Sequence, residues 1–117
     1  MKNTIIYHNP RCSKSRQTLA LLEEQGVAFE VVEYLKHPLV VTTLKHLQDC
    51  LGIDNALKMM RPKEAEFKVA GLSMESNDDT LITAITQHPK LLERPIVLHN
   101  GKAIIGRPPE NVLTLFS

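Results

Sequence analysis

One cysteine of this chain lies in a short segment rich in cations and hydroxyls, His8-Asn9-Pro10-Arg11-Cys12-Ser13-Lys14-Ser15-Arg16. A thiol acts as a nucleophile in its thiolate form, which nearby cations and the N-terminus of a helix both favour. The same groups form a binding site for oxyanions. We therefore predict that Cys12 is a nucleophile beside an anion site. The alternative is a buried, inert cysteine at the start of a helix.

Two neighbours of this cysteine could assist it. His8 lies four residues before Cys12 and could polarise the thiol, although a histidine at the end of a strand is often simply solvated. Ser15 places a hydroxyl donor one helical turn after Cys12. The other four histidines have no spacing typical of metal ligands, so no metal site is predicted.

Three arginines elsewhere in the chain each precede a proline: Arg61, Arg94 and Arg107. Proline stiffens the backbone and restricts the residue before it, so each guanidinium stands at the boundary of an element. A guanidinium keeps its charge and presents a planar fork of donors that suits tetrahedral oxyanions. A lone Arg-Pro pair is usually a solvated turn. These arginines are oxyanion ligands only if the fold brings them to Cys12.

Composition restricts the possible classes of protein. A chain of 117 residues with 43% apolar residues is expected to form one domain, residues 1–117. The net charge of +1 gives no indication of nucleic-acid or membrane binding. The start of the chain is too poor in apolar residues for a signal peptide, so we expect a cytoplasmic protein with reduced thiols. Cys50 lies on an apolar helix face, which predicts a small core residue.

The pattern of apolar residues predicts the elements that must position Cys12. A strand at 4–7, a helix at 13–25 and a strand at 29–35 form a βαβ unit. Helices are predicted at 42–51, 55–60, 63–70 and 79–88, a helical insert at about 38–90, with Asp78 or Asp79 capping the last. Two strands then flank Asn100-Gly101, a hairpin signal, before a final helix at 110–116. This order predicts an α/β protein with a small mixed four-stranded sheet and the thioredoxin-like fold.

Four segments together resemble a known family. "YHNPRCSKSR", "MMRPKEAEFKVAGL", "HPKLLERPIV" and "IIGRPPE" occur in this order and are similar to motifs of the arsenate reductases that use glutaredoxin, the ArsC family. The middle segment looks more like the chromosomal branch. The resemblance implies the thioredoxin-like fold, a catalytic Cys12 assisted by His8 and Ser15, and a cis-proline at Pro95. It also implies that the three arginines named above bind the oxyanion.

The resemblance further implies a reaction. Arsenate is reduced through a Cys12 thiolate–arsenic adduct, with glutathione as co-substrate, glutaredoxin as protein partner, no bound cofactor and a monomeric enzyme. Since Cys12-Ser13-Lys14-Ser15 contains no second cysteine, an external thiol is required to resolve the adduct. One alternative is a glutathione-dependent thiol reductase on the same scaffold. Another is a regulator resembling Spx that binds RNA polymerase, which the missing Cys-x-x-Cys disfavours.

Overall fold

The computed structural model describes residues 3–116; Met1 and Lys2, the start of the segment considered above for a signal peptide, lie outside the described residues. The chain divides into two compact units. The first consists of the residues up to His37 and those from Arg94 onward, and the second is Pro38–Glu93. The second unit corresponds to the predicted helical insert. Across residues 3–116, no helix has the length and apolar character needed to cross a membrane.

The first unit contains a mixed sheet. Its elements are β1 (Thr4–Tyr7), α1 (Ser13–Glu24), β2 (Glu30–Val32), β3 (Ile96–His99) and β4 (Lys102–Ile105). The strand order is β2-β1-β3-β4, in which β1 pairs parallel with β2 and antiparallel with β3, and β3 pairs antiparallel with β4. The predicted small mixed four-stranded sheet is therefore confirmed.

The hairpin between β3 and β4 follows from two residues. Asn100 and Gly101 both have positive φ, 50° and 83°, as a two-residue turn with the twist of the flanking strands requires. The turn sets the register, which pairs His99 with Lys102 and Leu98 with Ala103. The loop that follows β4 carries Arg107, so this register also determines the position of that arginine relative to the sheet.

One face of the sheet is covered by α1 and by the C-terminal segment. Ile6 of β1, Val97 of β3 and Leu22 of α1 are fully buried in one apolar cluster with Val112. Val112 belongs to a 3-10 helix at Pro109–Phe116, where a last helix was predicted. Burying four such side chains contributes roughly 1.5–3 kcal/mol each to folding. This packing holds α1 against the sheet.

β2 is shorter than predicted. The expected strand at 29–35 is wrong in its extent, because extended backbone ends at Val32. The carbonyl of Glu33 accepts hydrogen bonds from the backbone N–H groups of both Lys36 and His37, at 3.0 Å each, which forms a turn. The turn directs residues 33–36 along the Cys12 loop instead of extending the sheet.

The second unit is helical, as predicted. It contains α2 (Val41–Leu51), α3 (Ala65–Val69), α4 (Asp78–Gln87) and 3-10 helices at Ala56–Met59 and Pro89–Leu91. The predicted cap of α4 is wrong. Asn77 is the N-cap, its side chain accepting from the Thr80 N–H at 2.8 Å, whereas the Asp78 carboxylate accepts from the Ala56 N–H at 2.7 Å. Asp78 therefore joins two helical segments of this unit.

Candidate active site

Cys12 occupies the N-cap position of α1 and is buried, with 8% of its surface exposed. The loop before it is a tight turn organised by Asn9. The Asn9 side chain accepts from the Arg11 N–H, and the Asn9 carbonyl accepts from the Cys12 N–H, both at 3.0 Å. The Arg16 guanidinium donates to the Pro10 carbonyl at 2.9 Å. These bonds tie the loop to the first turn of the helix, so the position of the sulfur is well determined.

The sulfur does not cap the helix. Within the described part of the chain, the Cys12 side chain makes no capping hydrogen bond with the N–H groups of the first turn. The sulfur therefore has no hydrogen bond to these donors in this structure. The helix macrodipole still places positive potential at this end of α1. Any anion that approaches the sulfur meets the same potential.

His8 and Ser15 form a buried pair next to the Cys12 loop. His8 Nδ1 lies 2.6 Å from Ser15 Oγ, and this oxygen also accepts from the Asn9 N–H at 3.0 Å. Both side chains are almost completely buried. Burial lowers the pKa of His8 below its ordinary value; the charge of Glu33 opposes this and the charge of Arg16 adds to it. At neutral pH His8 is therefore an uncharged imidazole.

Arg107 is the charged residue that tertiary structure brings to the cysteine. Its Nη2 lies 3.7 Å from Cys12 Sγ, although the two residues are 95 positions apart. Its Nε donates to the Arg94 carbonyl at 2.9 Å, which orients the guanidinium. The Arg94–Pro95 and Arg107–Pro108 peptide bonds are both cis. The Arg107 side chain therefore contacts both the Arg94 backbone and the Cys12 sulfur.

Arg61 belongs to the second unit and has acidic partners there. Its Nη1 lies 2.7 Å from Glu64 Oε1 and its Nε lies 3.7 Å from Glu93 Oε1. Its backbone N–H donates to the Leu91 carbonyl at 2.8 Å. The side chain is only 25% exposed, so these carboxylates orient it firmly. Its assignment as an oxyanion ligand stays a prediction.

Comparison with known proteins identifies the family. The sequence profile of the ArsC family matches residues 7–115. The chain belongs to the ArsC family. The resemblance seen in the four sequence segments is therefore confirmed, and the mixed sheet with its helices is the thioredoxin-like fold of ArsC proteins.

Close relatives of this ArsC chain support the same assignment. A protein from Escherichia coli K12 named "Uncharacterized protein YfgD" is 53% identical over 97% of each chain. An arsenate reductase from Neisseria meningitidis Z2491 is 55% identical over 92% of each chain. The solved structure of an arsenate reductase from Vibrio cholerae has a TM-score of 0.92 at 50% identity and covers 97% of this chain and 98% of that one.

The second cysteine of this ArsC protein was predicted wrongly. Cys50 is only partly buried and is not part of the core. Its sulfur lies 3.5 Å from Nε2 of His46, one turn earlier on α2. Burial and the neighbouring Asp49 raise the pKa of the Cys50 thiol. The face of α2 that is buried carries Leu44, Leu47 and Gln48 instead.

Two residues that position the ArsC site were not predicted. The Asn9-Pro10 pair predicts a tight loop after the first strand, but it does not predict that Asn9 organises this loop through both its side chain and its carbonyl. Gly106 lies against Thr18 of α1 and Pro95 so closely that an added Cβ would be 2.7 Å from Thr18 Oγ1. Nothing local in the sequence indicates this contact, because its partners lie on distant segments.

Within residues 3–116, no cluster of three or more histidine, cysteine or acidic side chains is arranged to hold a metal ion.

Proposed function

We propose that this ArsC-family protein reduces arsenate to arsenite, with Cys12 as the nucleophile. The observation that carries the proposal is the Arg107 guanidinium 3.7 Å from the sulfur of a cysteine at a helix N-terminus. A tetrahedral oxyanion placed there would meet the nucleophile, the positive end of α1 and a fork of N–H donors together. Relatives about half identical to this chain are named arsenate reductases, which supports arsenate as the oxyanion.

In the first step, the Cys12 thiolate attacks arsenic and an As–O bond breaks. The departing oxygen leaves as hydroxide or, after taking a proton, as water. Charge on the remaining arsenate oxygens would be neutralised by Arg107, and we propose Arg94 and Arg61 as the further arginines of the oxyanion site. Preorganised cations of this kind lower the barrier because they require no reorganisation as charge develops.

The His8–Ser15 pair is proposed to assist the thiol. Since His8 is neutral at pH 7, it is able to accept a proton, and the Ser15 hydroxyl connects it to the loop that holds Cys12. A neutral imidazole within reach of a thiol is its usual general base. The short 2.6 Å contact fixes the ring so that its other nitrogen has a defined direction.

The second half of the reaction requires electrons from outside the chain. Arsenic(V) gains two electrons on becoming arsenic(III), and two thiols lose two electrons on forming one disulfide, while one arsenate oxygen leaves as water. We propose glutathione as the thiol that attacks the adduct and glutaredoxin as the protein that reduces the resulting mixed disulfide. This coupling also implies a cytoplasmic location, where thiols are kept reduced.

The test is arsenate turnover with glutathione and glutaredoxin, measured for the wild type, Cys12→Ser and Cys50→Ser. Cys12→Ser should have no rate above the buffer control, because a serine hydroxyl at pH 7 is not ionised. Cys50→Ser is the matched control, since it removes the other thiol of the chain, and it should retain the wild-type rate. Equal rates for Cys12→Ser and the wild type would refute the assignment of the nucleophile.

A further inference from the structure

A small cavity lies beside the Cys12 loop in the first unit. It has a volume of about 240 Å³ and is lined by Asn9, Pro10, Arg11, Glu33, Leu35 and Lys36. Pockets that enclose a drug-sized ligand are usually about 300–1,000 Å³. This cavity is therefore suited to part of a small peptide whose remainder stays in solvent.

The cavity combines an apolar floor with three charges of mixed sign. Pro10 and Leu35 provide apolar surface, while Arg11 and Lys36 are cations and Glu33 is an anion. The Arg11 guanidinium has no hydrogen bond or ion pair with the other residues of the described range 3–116. Lys36 Nζ lies 3.5 Å from Glu33 Oε1, with 73% of the lysine side chain exposed. An exposed pair of this kind contributes only about 0–1 kcal/mol, so a ligand can replace it.

The cavity is connected to the reactive cysteine by short covalent and hydrogen-bonded paths. Arg11 directly precedes Cys12, and the turn of Asn9 holds both residues. On the other wall, the Val32 carbonyl accepts from the His8 N–H at 2.9 Å, and Glu33 is the next residue. Because Glu33 directly follows Val32, this wall of the cavity adjoins the backbone of His8.

We propose that this cavity binds the thiol co-substrate, a peptide thiol with two carboxylates and one ammonium group, the charges of glutathione. Arg11 and Lys36 would bind the two carboxylates and Glu33 the ammonium group, so that every charge on the ligand meets its opposite. The inference rests on the proposed function, since that function supplies the need for an external thiol. A tripeptide bound here would lie against Asn9, Pro10 and Arg11, the three residues that precede Cys12.

Binding is measured with S-methylglutathione, which has the charges of glutathione but no reactive thiol, added to the Cys12→Ser protein without arsenate. Chemical-shift changes in an amide NMR titration should concentrate at residues 9–11 and 33–36. Lys36→Glu should raise the dissociation constant by about five- to tenfold, because an attractive charge becomes a repulsive one. Lys45→Glu reverses the charge of another exposed lysine in an ion pair, with Asp79, and should leave binding unchanged.

Measuring arsenate turnover distinguishes a failure of this inference from a failure of the proposed function. In arsenate reduction, Lys36→Glu should raise KM for glutathione by the same factor and leave the rate with dithiothreitol, an uncharged dithiol, unchanged. Shift changes elsewhere in the chain, no binding, or equal binding by Lys36→Glu and the wild type would each overturn the cavity assignment. Binding at the cavity by a protein that fails to reduce arsenate with either thiol would instead refute the proposed function alone.

Discussion

Gly106→Ala tests whether the contact between the β4 loop and α1 positions the arginine at the sulfur. Gly106 precedes Arg107, and its N–H donates to the Pro95 carbonyl at 2.9 Å, so this backbone cannot move away freely. An alanine Cβ would be 2.7 Å from Thr18 Oγ1 and 2.9 Å from Pro95 Cγ. Thr18 is fully buried, and its hydroxyl donates to the Lys14 carbonyl at 2.8 Å. Neither neighbour can rotate out of the way.

The expected cost follows from these distances. Carbon atoms in contact are normally about 3.5–4.0 Å apart, so the Pro95 contact alone requires a shift of roughly 0.6 Å or more. Overpacking a rigid site costs about 1–3 kcal/mol. Replacing glycine by alanine also reduces the conformational entropy of the unfolded chain, which offsets about 0.4–1 kcal/mol of this overpacking cost. We therefore expect Gly106→Ala to lower the free energy of unfolding by about 1–2 kcal/mol.

The measurement is urea unfolding of the wild type, Gly106→Ala, Thr18→Ala and the double variant. Thr18→Ala removes two of the three closest atoms, so the double variant should be less destabilised than the sum of the single variants, by about 1 kcal/mol. Arsenate turnover should fall at least about tenfold in Gly106→Ala, because Arg107 is displaced from the sulfur. The steric explanation would be refuted if the effects of the two single variants added up in the double variant. It would also be refuted if the free energy of unfolding of Gly106→Ala lay within about 0.5 kcal/mol of the wild-type value.

Two further predictions concern the buried pair beside the cysteine. The pKa of His8 is lowered in the folded state, so below about pH 6.5 the unfolded chain binds a proton that the folded chain resists. The free energy of unfolding of the wild type should therefore fall as pH decreases from 7.5 to 5. It should fall less steeply in His8→Asn, because the asparagine side chain does not titrate. Parallel curves of unfolding free energy against pH for the two proteins would contradict this. Ser15→Ala removes the hydroxyl that both His8 Nδ1 and the Asn9 N–H contact, and should lower the free energy of unfolding by about 1–3 kcal/mol in urea titrations. A change close to zero would mean that other groups replace these bonds.

The elements of this protein were largely predictable because their signals are local. Asn100-Gly101 predicted the hairpin, and the positive φ values of both residues are the physical reason. The wrong predictions concern positions where two local signals compete or where packing determines which residues are buried. Asn77 and Asp78 are both good N-caps, and Asp78 is diverted because its carboxylate accepts from the Ala56 N–H in a distant segment.

The prediction for Cys50 was wrong for a similar reason. A helical pattern indicates which residues share a face, but the boundary of that face depends on what packs against it. The core of the second unit reaches Leu44 and Leu47 and leaves the Cys50 sulfur at the edge, near His46. Only the packing of the other helices determines where that edge lies.

The position of Cys12, the proposed nucleophile, is a local property of the sequence. A strand, a turn at Asn9-Pro10 and a helix place Cys12 at the start of α1, and the loop's hydrogen bonds to the side chains of Asn9, Ser15 and Arg16 each span fewer than ten residues. The contact of Cys12 with Arg107 is a tertiary property. Arg107 reaches Cys12 across 95 positions because β3 and β4 pair beside β1 and Gly106 lets the next loop approach α1. Local patterns contain no information about such contacts, since the energy that selects them comes from packing between segments that are distant in the chain.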